Sequence, residues 1–439
     1  GAGGGMWSIL QQLSDPRVLG ATAVAVLTPL SKRTQLLGPK AGRLSELDLG
    51  LGVVFGLLMW KLLGDKAPKS AWQYPALTVP KSASEASEHK EYDISSSAAA
   101  KKSFEAVGDM IIAEVTAELR NGCEMPDLEV KWVTDMLNYN VKGGKMNRGL
   151  MVVQSGVTLF KAKKMEITPQ VLTKFAVLGW CIEWLQAFFL ILDDIMDGST
   201  HRRGQPCWYK VEEVKMIAIN DGLIVEQLLY RLLKKHFGDE PYYGQLVDFF
   251  LETTFQTSCG QLLDTICEKV EVDDFTKERW RLVCKYKTAF YSFYCPVALG
   301  MIVAGVKDAA AFDAARTPLI TMGIYFQAQD DFLDAFGTLE QLGKVGTDIQ
   351  DRKCSWLFTN ARDKLTPEQT KYMKQHYGKC QVGSKEEKEI KAIFEKVGLK
   401  DAYSTYEEKC VEEIRQARPS VEANGLPWAL FEEFLNKIY

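Results

Sequence analysis

An all-α fold is what this sequence of 439 residues predicts. Three observations carry it. From Phe104 onward the apolar residues recur at helical spacing, as in Val107, Ile111 and Val115 with Ile112 and Leu119 beside them. Prolines and glycines fall mostly between the periodic stretches rather than inside them. Strand alternation is confined to short pieces. Long apolar helices bury their faces only by packing around a shared centre, so residues 104–439 are read as one helical bundle.

The first hundred residues differ from the rest. Between Met6 and Lys69 eight basic residues face four acidic ones, and the apolar runs 18–30 and 49–63 both fall short of the roughly 20 residues that a spanning helix needs. Gly1–Gly5 read as a flexible start, with Met6 as a natural beginning. Residues 1–75 are therefore an extension, poorly ordered or separate, and an organelle-targeting role is the preferred reading. An extension without an address and a membrane-associating helix at 49–63 are the alternatives. Residues 76–103, rich in Ser, Ala, Lys and Glu, read as a linker. Helical patterns then cover 104–120, 128–140, 169–197, 211–236, 243–268, 276–295, 296–303, 309–333, 367–377, 384–397, 402–414 and 428–438.

Composition narrows the function. A hydrophobic share of 46% is ample for a large core, and a net charge of −4 without a basic stripe speaks against a nucleic-acid binder. Ten cysteines contain no CxxC pair, which favours reduced thiols in a cytoplasmic or organellar-matrix compartment. The mitochondrion is preferred over the cytoplasm because of the extension. Four scattered histidines leave little room for a zinc site.

The chemistry gathers at two acidic clusters. The run from Phe188 to Asp197 ends in Asp193, Asp194 and Asp197, and the i, i+1, i+4 spacing recurs at Asp330, Asp331 and Asp334. In a helix the first and last of each set share a face, with the middle one about 100° round. Carboxylates this close repel unless a cation neutralises them, and hard oxygen ligands point to Mg²⁺ or Mn²⁺. One such cluster reads equally as a solvated helix end. Two with the same spacing read as paired walls of a metal-rich cavity.

Cations suited to phosphate flank both clusters. Arg202 and Arg203 follow the first. The segment from Gly143 to Gly149 supplies Lys145 and Arg148 beside glycines that admit close backbone approach, without P-loop spacing. Lys287, next to Thr288, and Lys353 complete the set. Taken singly, each reads as a surface charge. Beside two acidic clusters and an apolar interior, they imply a substrate with a diphosphate head and a hydrocarbon tail. Ionisation of such a substrate gives an allylic cation that survives only where water is excluded.

These motifs resemble those of the short-chain trans-prenyl diphosphate synthases, most closely the eukaryotic, animal-type farnesyl diphosphate synthases. The resemblance rests on 143–149, 185–189, 193–197 with 202–205, 285–296, 326–334 and 343–351, and covers about residues 104–439. It implies an isoprenoid-synthase-type helical bundle around a deep central cavity. It also implies Mg²⁺-dependent condensation of isopentenyl diphosphate with dimethylallyl and then geranyl diphosphate, giving farnesyl diphosphate and pyrophosphate. Asp193, Asp197 and Asp330 would contact three Mg²⁺ ions, with Asp194, Asp331 and Asp334 in support. Arg202, Lys287 and Lys353 would hold the allylic diphosphate, and Lys145, Arg148 and Arg203 the isopentenyl one. Thr288 and Gln327 would stand beside the reacting carbons, and Gln256, Asp264 and Lys344 line the same region. Phe188 and Phe189 would form the pocket floor that stops growth at C15. A homodimer with a complete site in each subunit is also implied.

The sequence departs from the family pattern at a few positions. Leu192 stands where alanine is common and would narrow the tail channel, which keeps a geranyl diphosphate synthase open as an alternative. Gly198 and His201, Cys295 and Phe332 also differ from the common residues. The sequence stops at Tyr439, where many relatives carry a basic tail that helps close the site over isopentenyl diphosphate; a trimmed tail would reduce activity, and a natural absence would alter closure. A terpene synthase on the same scaffold is a more distant alternative, and a regulatory partner with a dead site is a non-enzyme one.

Overall fold

The computed structural model describes residues 92–338 and 346–438, with the side chain of Glu268 excepted, and all of these belong to one unit, Leu77–Tyr439. The readings placed on residues 1–75 and on Lys344 lie outside the described residues. The predicted linker is shorter than expected. Helix α1 (Ser97–Asn121) starts inside it, because the Ser96 hydroxyl caps the helix by accepting from the Ala99 amide at 3.1 Å.

Helices α2 (Asp127–Val141), α3 (Asn147–Ala162) and α4 (Pro169–Met196) follow. The α4 N-terminus combines a Thr168 cap with Pro169 in the first turn, both start signals. Its 28 residues are apolar all round, and 78% of its most hydrophobic window is buried, so it is a core helix rather than a membrane span. It packs on α1, on α3 and on α5 (Ala218–Phe237). Two points of this stretch depart from the sequence reading. The periodicity from 211 is interrupted by a 3₁₀ turn (Lys215–Ile217) before α5 begins, and α3 escapes the pattern altogether.

Glycines explain why α3 is hard to read from periodicity. A β-carbon on Gly156 would stand 2.2 Å from the Phe175 ring, and one on Gly149 would stand 2.9 Å from the Gly179 carbonyl of α4. Residues that look like breakers are points of close helix approach.

The second half of the bundle is built around one unusual element. Beyond α6 (Tyr243–Thr265), the predicted helix 276–295 divides into α7 (Lys277–Val283) and an 11-residue π-helix (Cys284–Tyr294), which runs into α8 (Cys295–Val303). π-Helices are rare, and they are wider than α-helices, so their neighbours must make room. Gly260 of α6 and Gly323 of α9 (Ala309–Phe336) do so: β-carbons there would stand 2.1 Å from the Lys287 amide nitrogen and 2.4 Å from Ala289 Cβ. The remaining helices are α10 (Trp356–Ala361), α11 (Pro367–His376), α12 (Lys385–Lys396), α13 (Leu399–Gln416), α14 (Arg418–Ala423) and α15 (Trp428–Ile438). Among the described residues the one sheet is a two-residue hairpin, β1 (His201–Arg202) with β2 (Gln205–Pro206).

All ten cysteines are free, and seven of them are buried, as the absence of CxxC spacing predicts. Gly260→Ala should push the π-helix off α6. The expected cost is about 1–3 kcal/mol, read from urea unfolding, together with loss of activity. An unchanged unfolding midpoint would show that the close approach carries no constraint.

Candidate active site

The first acidic cluster sits at the C-terminal end of α4, the end that helix dipoles make unfavourable for negative charge. Compensation comes from elsewhere in the chain. The hairpin after α4 turns at Arg203 and Gly204, both with left-handed φ (54° and 77°), and this aims Arg202 back at the helix. Its Nε and Nη2 donate to Asp194 Oδ1 at 3.0 and 2.5 Å, and Nη2 reaches Asp193 Oδ2 at 3.5 Å. Asp194 is buried, so this forked contact satisfies a charge that water cannot reach.

Two lysines from distant segments close the other side. Lys287, on the π-helix, donates to Asp193 Oδ1 at 3.2 Å and to Asp264 Oδ2 at 2.5 Å. Lys353 donates to Asp197 Oδ2 at 3.2 Å and to the same Asp264 oxygen at 2.9 Å. Asp264, on α6, is thus the acid shared by both lysines. Burial alone would raise its carboxyl pKa, but the two ammonium groups outweigh that and hold it at about 2. Asp197 goes the other way: burial and the neighbouring Asp193 raise it despite Lys353. Gln261, one turn before Asp264, donates to Asp193 Oδ1 at 2.8 Å. Sequence reasoning passed over it, although its i−3 spacing from Asp264 on one helix face was a signal.

The second cluster is organised differently. Asp331 is buried and accepts from three protein donors: Trp280 Nε1 at 2.9 Å, the Trp356 amide at 2.7 Å and Gln327 Nε2 at 2.9 Å. Burial pushes its carboxyl up to about 7. Asp334, also buried, accepts from the amides of Thr347 and Asp348 at 3.0 and 3.1 Å. Both acids therefore tie α9 to the 346–356 segment, which narrows the supporting metal role read for them. Asp330 is half-buried on the same helix end. Gln327 also accepts from the Thr288 hydroxyl at 3.0 Å. Lys287 and Thr288, adjacent on the π-helix, thereby join the first cluster to the second.

The Gly143–Gly149 element forms the mouth of α3. Met146 takes a left-handed φ of 56° directly before the helix, and Lys145 is exposed. Arg203 donates to the carbonyls of Asn140 and Lys142 at 3.0 and 2.9 Å, and its guanidinium lies where a β-carbon on Gly144 would stand 3.0 Å away. Arg148 is held by Ser292 Oγ at 2.9 Å and Tyr291 Oη at 3.1 Å, both on the π-helix, and lies over the Tyr291 ring. The buried Glu183 accepts from the Gly149 amide at 2.8 Å. Glu183, Tyr291 and Ser292 are further residues that sequence reasoning missed.

One turn before Asp193, Phe188 is buried in the core and Phe189 half-buried, with ring centroids 4.9 Å apart and Phe189 6.2 Å from Tyr291. Leu192 is half-buried and lies near α5, where a β-carbon on Gly222 would stand 3.4 Å from its Cδ2, an ordinary contact. Gln256 donates along α6 to Glu252 at 2.6 Å, and among the described residues it makes no hydrogen bond with the charge cluster.

Comparison with known proteins agrees with this arrangement. The polyprenyl synthetase pattern matches residues 130–397. The chain is 45% identical over 337 residues to the farnesyl pyrophosphate synthase of Kluyveromyces lactis, covering 75% of this chain and 96% of that one. It is 46% identical over 319 residues to that of Saccharomyces cerevisiae, covering 72% and 90%. It is 46% identical over 313 residues to farnesyl pyrophosphate synthase 1, mitochondrial, of Arabidopsis thaliana, covering 70% and 79%. Farnesyl diphosphate synthase of T. brucei complexed with risedronate superposes with a TM-score of 0.69 at 32% identity, covering 77% of this chain and 98% of that one. These relatives are fungal, plant and protist, so the animal-type qualifier gains no support from them. With an α-helical bundle and a pattern match over more than half its length, the chain belongs to the polyprenyl synthetase family.

Proposed function

We propose that the chain is a farnesyl diphosphate synthase. It condenses isopentenyl diphosphate with dimethylallyl diphosphate and then with geranyl diphosphate, releasing pyrophosphate at each step. The observation that carries this reading is the pair Lys287–Thr288 on the π-helix. One residue grips the first aspartate cluster and the next hydrogen-bonds the amide that serves the second.

A divalent cation fits this donor set. Asp193, Asp194, Asp197 and Asp264 carry four negative charges against three on Arg202, Lys287 and Lys353. Among the described residues no three such side chains form a closed cage. A bound Mg²⁺ would therefore take its remaining ligands from water and substrate phosphates. Asp193, Asp197 and Asp330 would hold the metal, three ions being the family expectation. When bound, it supplies charge neutralisation for the diphosphate leaving group.

The protein groups do the rest. Lys287 and Lys353 are kept charged by Asp264 and can pass to the diphosphate oxygens of the allylic substrate, with Arg202 beside them. The Thr288 hydroxyl and the Gln327 amide present dipoles toward the developing allylic cation. Lys145, Arg148 and Arg203 surround the glycine turn, where isopentenyl diphosphate would dock. The C–O bond to pyrophosphate breaks first, the double bond of isopentenyl diphosphate then attacks the allylic cation to form the new C–C bond, and the departing pyrophosphate removes a proton from the carbon next to the tertiary cation that results. Core residues around α4 keep water away from the cation.

Phe188 and Phe189 limit the chain at C15. Incubation with geranyl and isopentenyl diphosphates and Mg²⁺ should release pyrophosphate and give a C15 product; a C10 product alone from dimethylallyl and isopentenyl diphosphates would overturn the farnesyl reading. Phe188→Ala should lengthen the product, and an unchanged product would remove it as the stop.

A homodimer accounts for an exposed apolar stripe. Leu251, Phe255, Leu262 and Ile266 follow one face along α6, and Ile219 and Leu223 stand on α5, with Phe255 65% and Leu262 63% exposed. Contiguous apolar area of this kind calls for a covering partner. Phe255→Lys should shift the species seen by sedimentation from dimer to monomer; a protein already monomeric would remove the assignment.

Residues 1–75 are proposed as a mitochondrial address, a location carried in the name of the Arabidopsis relative. Deleting residues 6–75 should move a tagged chain from mitochondria to the cytoplasm, and identical distributions would exclude targeting by this region.

A further inference from the structure

Behind the second aspartate cluster lies a cleft of about 740 Å³ that the reaction described above does not use. Its walls come from α7, the π-helix, α9, α10 and α13. Five cations line it: Lys277, Arg281, Lys285, Arg316 and Lys409. Only two carboxylates, Glu278 and Glu413, accompany them there. This is a positive concavity on a chain whose net charge is −4. Four of the five cations pair with carboxylates at exposed contacts, Lys277 with Asp363, Arg281 with Glu278, Arg316 with Asp313 and Lys409 with Glu413, and exposed pairs yield readily to a competing anion. Among the described residues Lys285 makes no ion pair, and it lies over the rings of Tyr286 and Phe290 at 5.0 and 5.8 Å.

The floor has the opposite character. Trp280 and Trp356 are buried at its base, each against the ring of Tyr406, and Ile320 and Ile324 of α9 extend the apolar surface. A cationic rim over an aromatic and aliphatic floor, in a volume typical of ligand sites, selects a molecule with an anionic head and a hydrocarbon tail. The floor also touches the reaction centre from behind. Trp280 Nε1 and the Trp356 amide both donate to Asp331 Oδ2, whose other oxygen accepts from Gln327, which in turn accepts from Thr288.

We infer that this cleft is a regulatory site for a phosphate-headed amphiphile, separate from the substrate pocket and coupled to it through Trp280, Trp356 and Asp331. The head seats among the rim cations and the tail lies on the two tryptophans. Because the cleft's lining includes none of the cations assigned to the substrate diphosphates, occupancy lowers kcat and leaves KM unchanged.

Calorimetric titration of the full chain with dodecyl phosphate tests this, with inorganic phosphate and dodecanol as head-only and tail-only probes and farnesyl monophosphate as a branched counterpart. The expected result is saturable binding of one amphiphile per chain at this cleft, far tighter than either fragment, and a fall in kcat at constant KM. The double variant Arg281→Glu/Arg316→Glu changes two exposed rim residues, and its activity without ligand should match that of the original chain. Its affinity for dodecyl phosphate should fall about tenfold or more, as expected for loss of charge-assisted contacts to the head. The relative tightness of the linear and branched tails then tells a lipid from a prenyl source. Absence of saturable binding, unchanged affinity in the double variant, inorganic phosphate binding as tightly as the amphiphile, or inhibition through KM would each overturn the assignment.

Discussion

Four aspartates at the meeting of α4 and α6 could not be buried without cations, and the rest of the architecture follows from where those cations come from. Arg202 arrives on a hairpin, Lys287 on a π-helix and Lys353 on the segment before α10. Each sits far along the chain from its partner acid or across a turn from it. Folding the bundle and assembling the charge cluster are therefore one event. Burying an ionised group without a partner costs several kcal/mol, so a fold that misplaced any of the three would leave a charge exposed to that penalty.

The lysines are held by an acid, Asp264, that belongs to neither repeat. Its carboxyl stays ionised because two ammonium groups outweigh its burial. The arrangement keeps both lysines charged and aimed into one space before any phosphate arrives. This is preorganisation of the kind that electrostatic catalysis depends on, since the donors need not reorient when charge develops on the leaving group. Asp331 and Asp334 serve a complementary purpose. Spent on an indole, a side-chain amide and three backbone amides, they fix α9 against the 346–356 segment.

The π-helix connects these parts. Its wider turn places Lys287, Thr288, Tyr291 and Ser292 toward three different neighbours: the aspartates, Gln327 and Arg148. Two bare glycines, Gly260 and Gly323, let α6 and α9 close on it. The same element forms a wall of the cationic cleft behind the site, so a ligand there would press on residues that also face the substrates.

Much of this protein was legible in its sequence. Helical periodicity located most of the bundle, because a helix that buries one face must repeat its apolar residues at 3.6. The doubled aspartate spacing, with arginines and lysines alongside, pointed to diphosphate chemistry because charge patterns of that kind have few other uses in an apolar context. What periodicity could not convey was decided in three dimensions. Helix α3 was hidden because Gly149 and Gly156 look like breakers until their packing partners are known. The π-helix was hidden because one extra residue per turn leaves no mark on composition. Asp331 and Asp194 occupy matching positions in their motifs, yet one meets an indole and backbone amides and the other a guanidinium. Sequence alone determined which groups were available and roughly on which helical faces; tertiary structure decided which charges met, because neutralising a buried carboxylate is a contact across space that spacing along the chain does not encode.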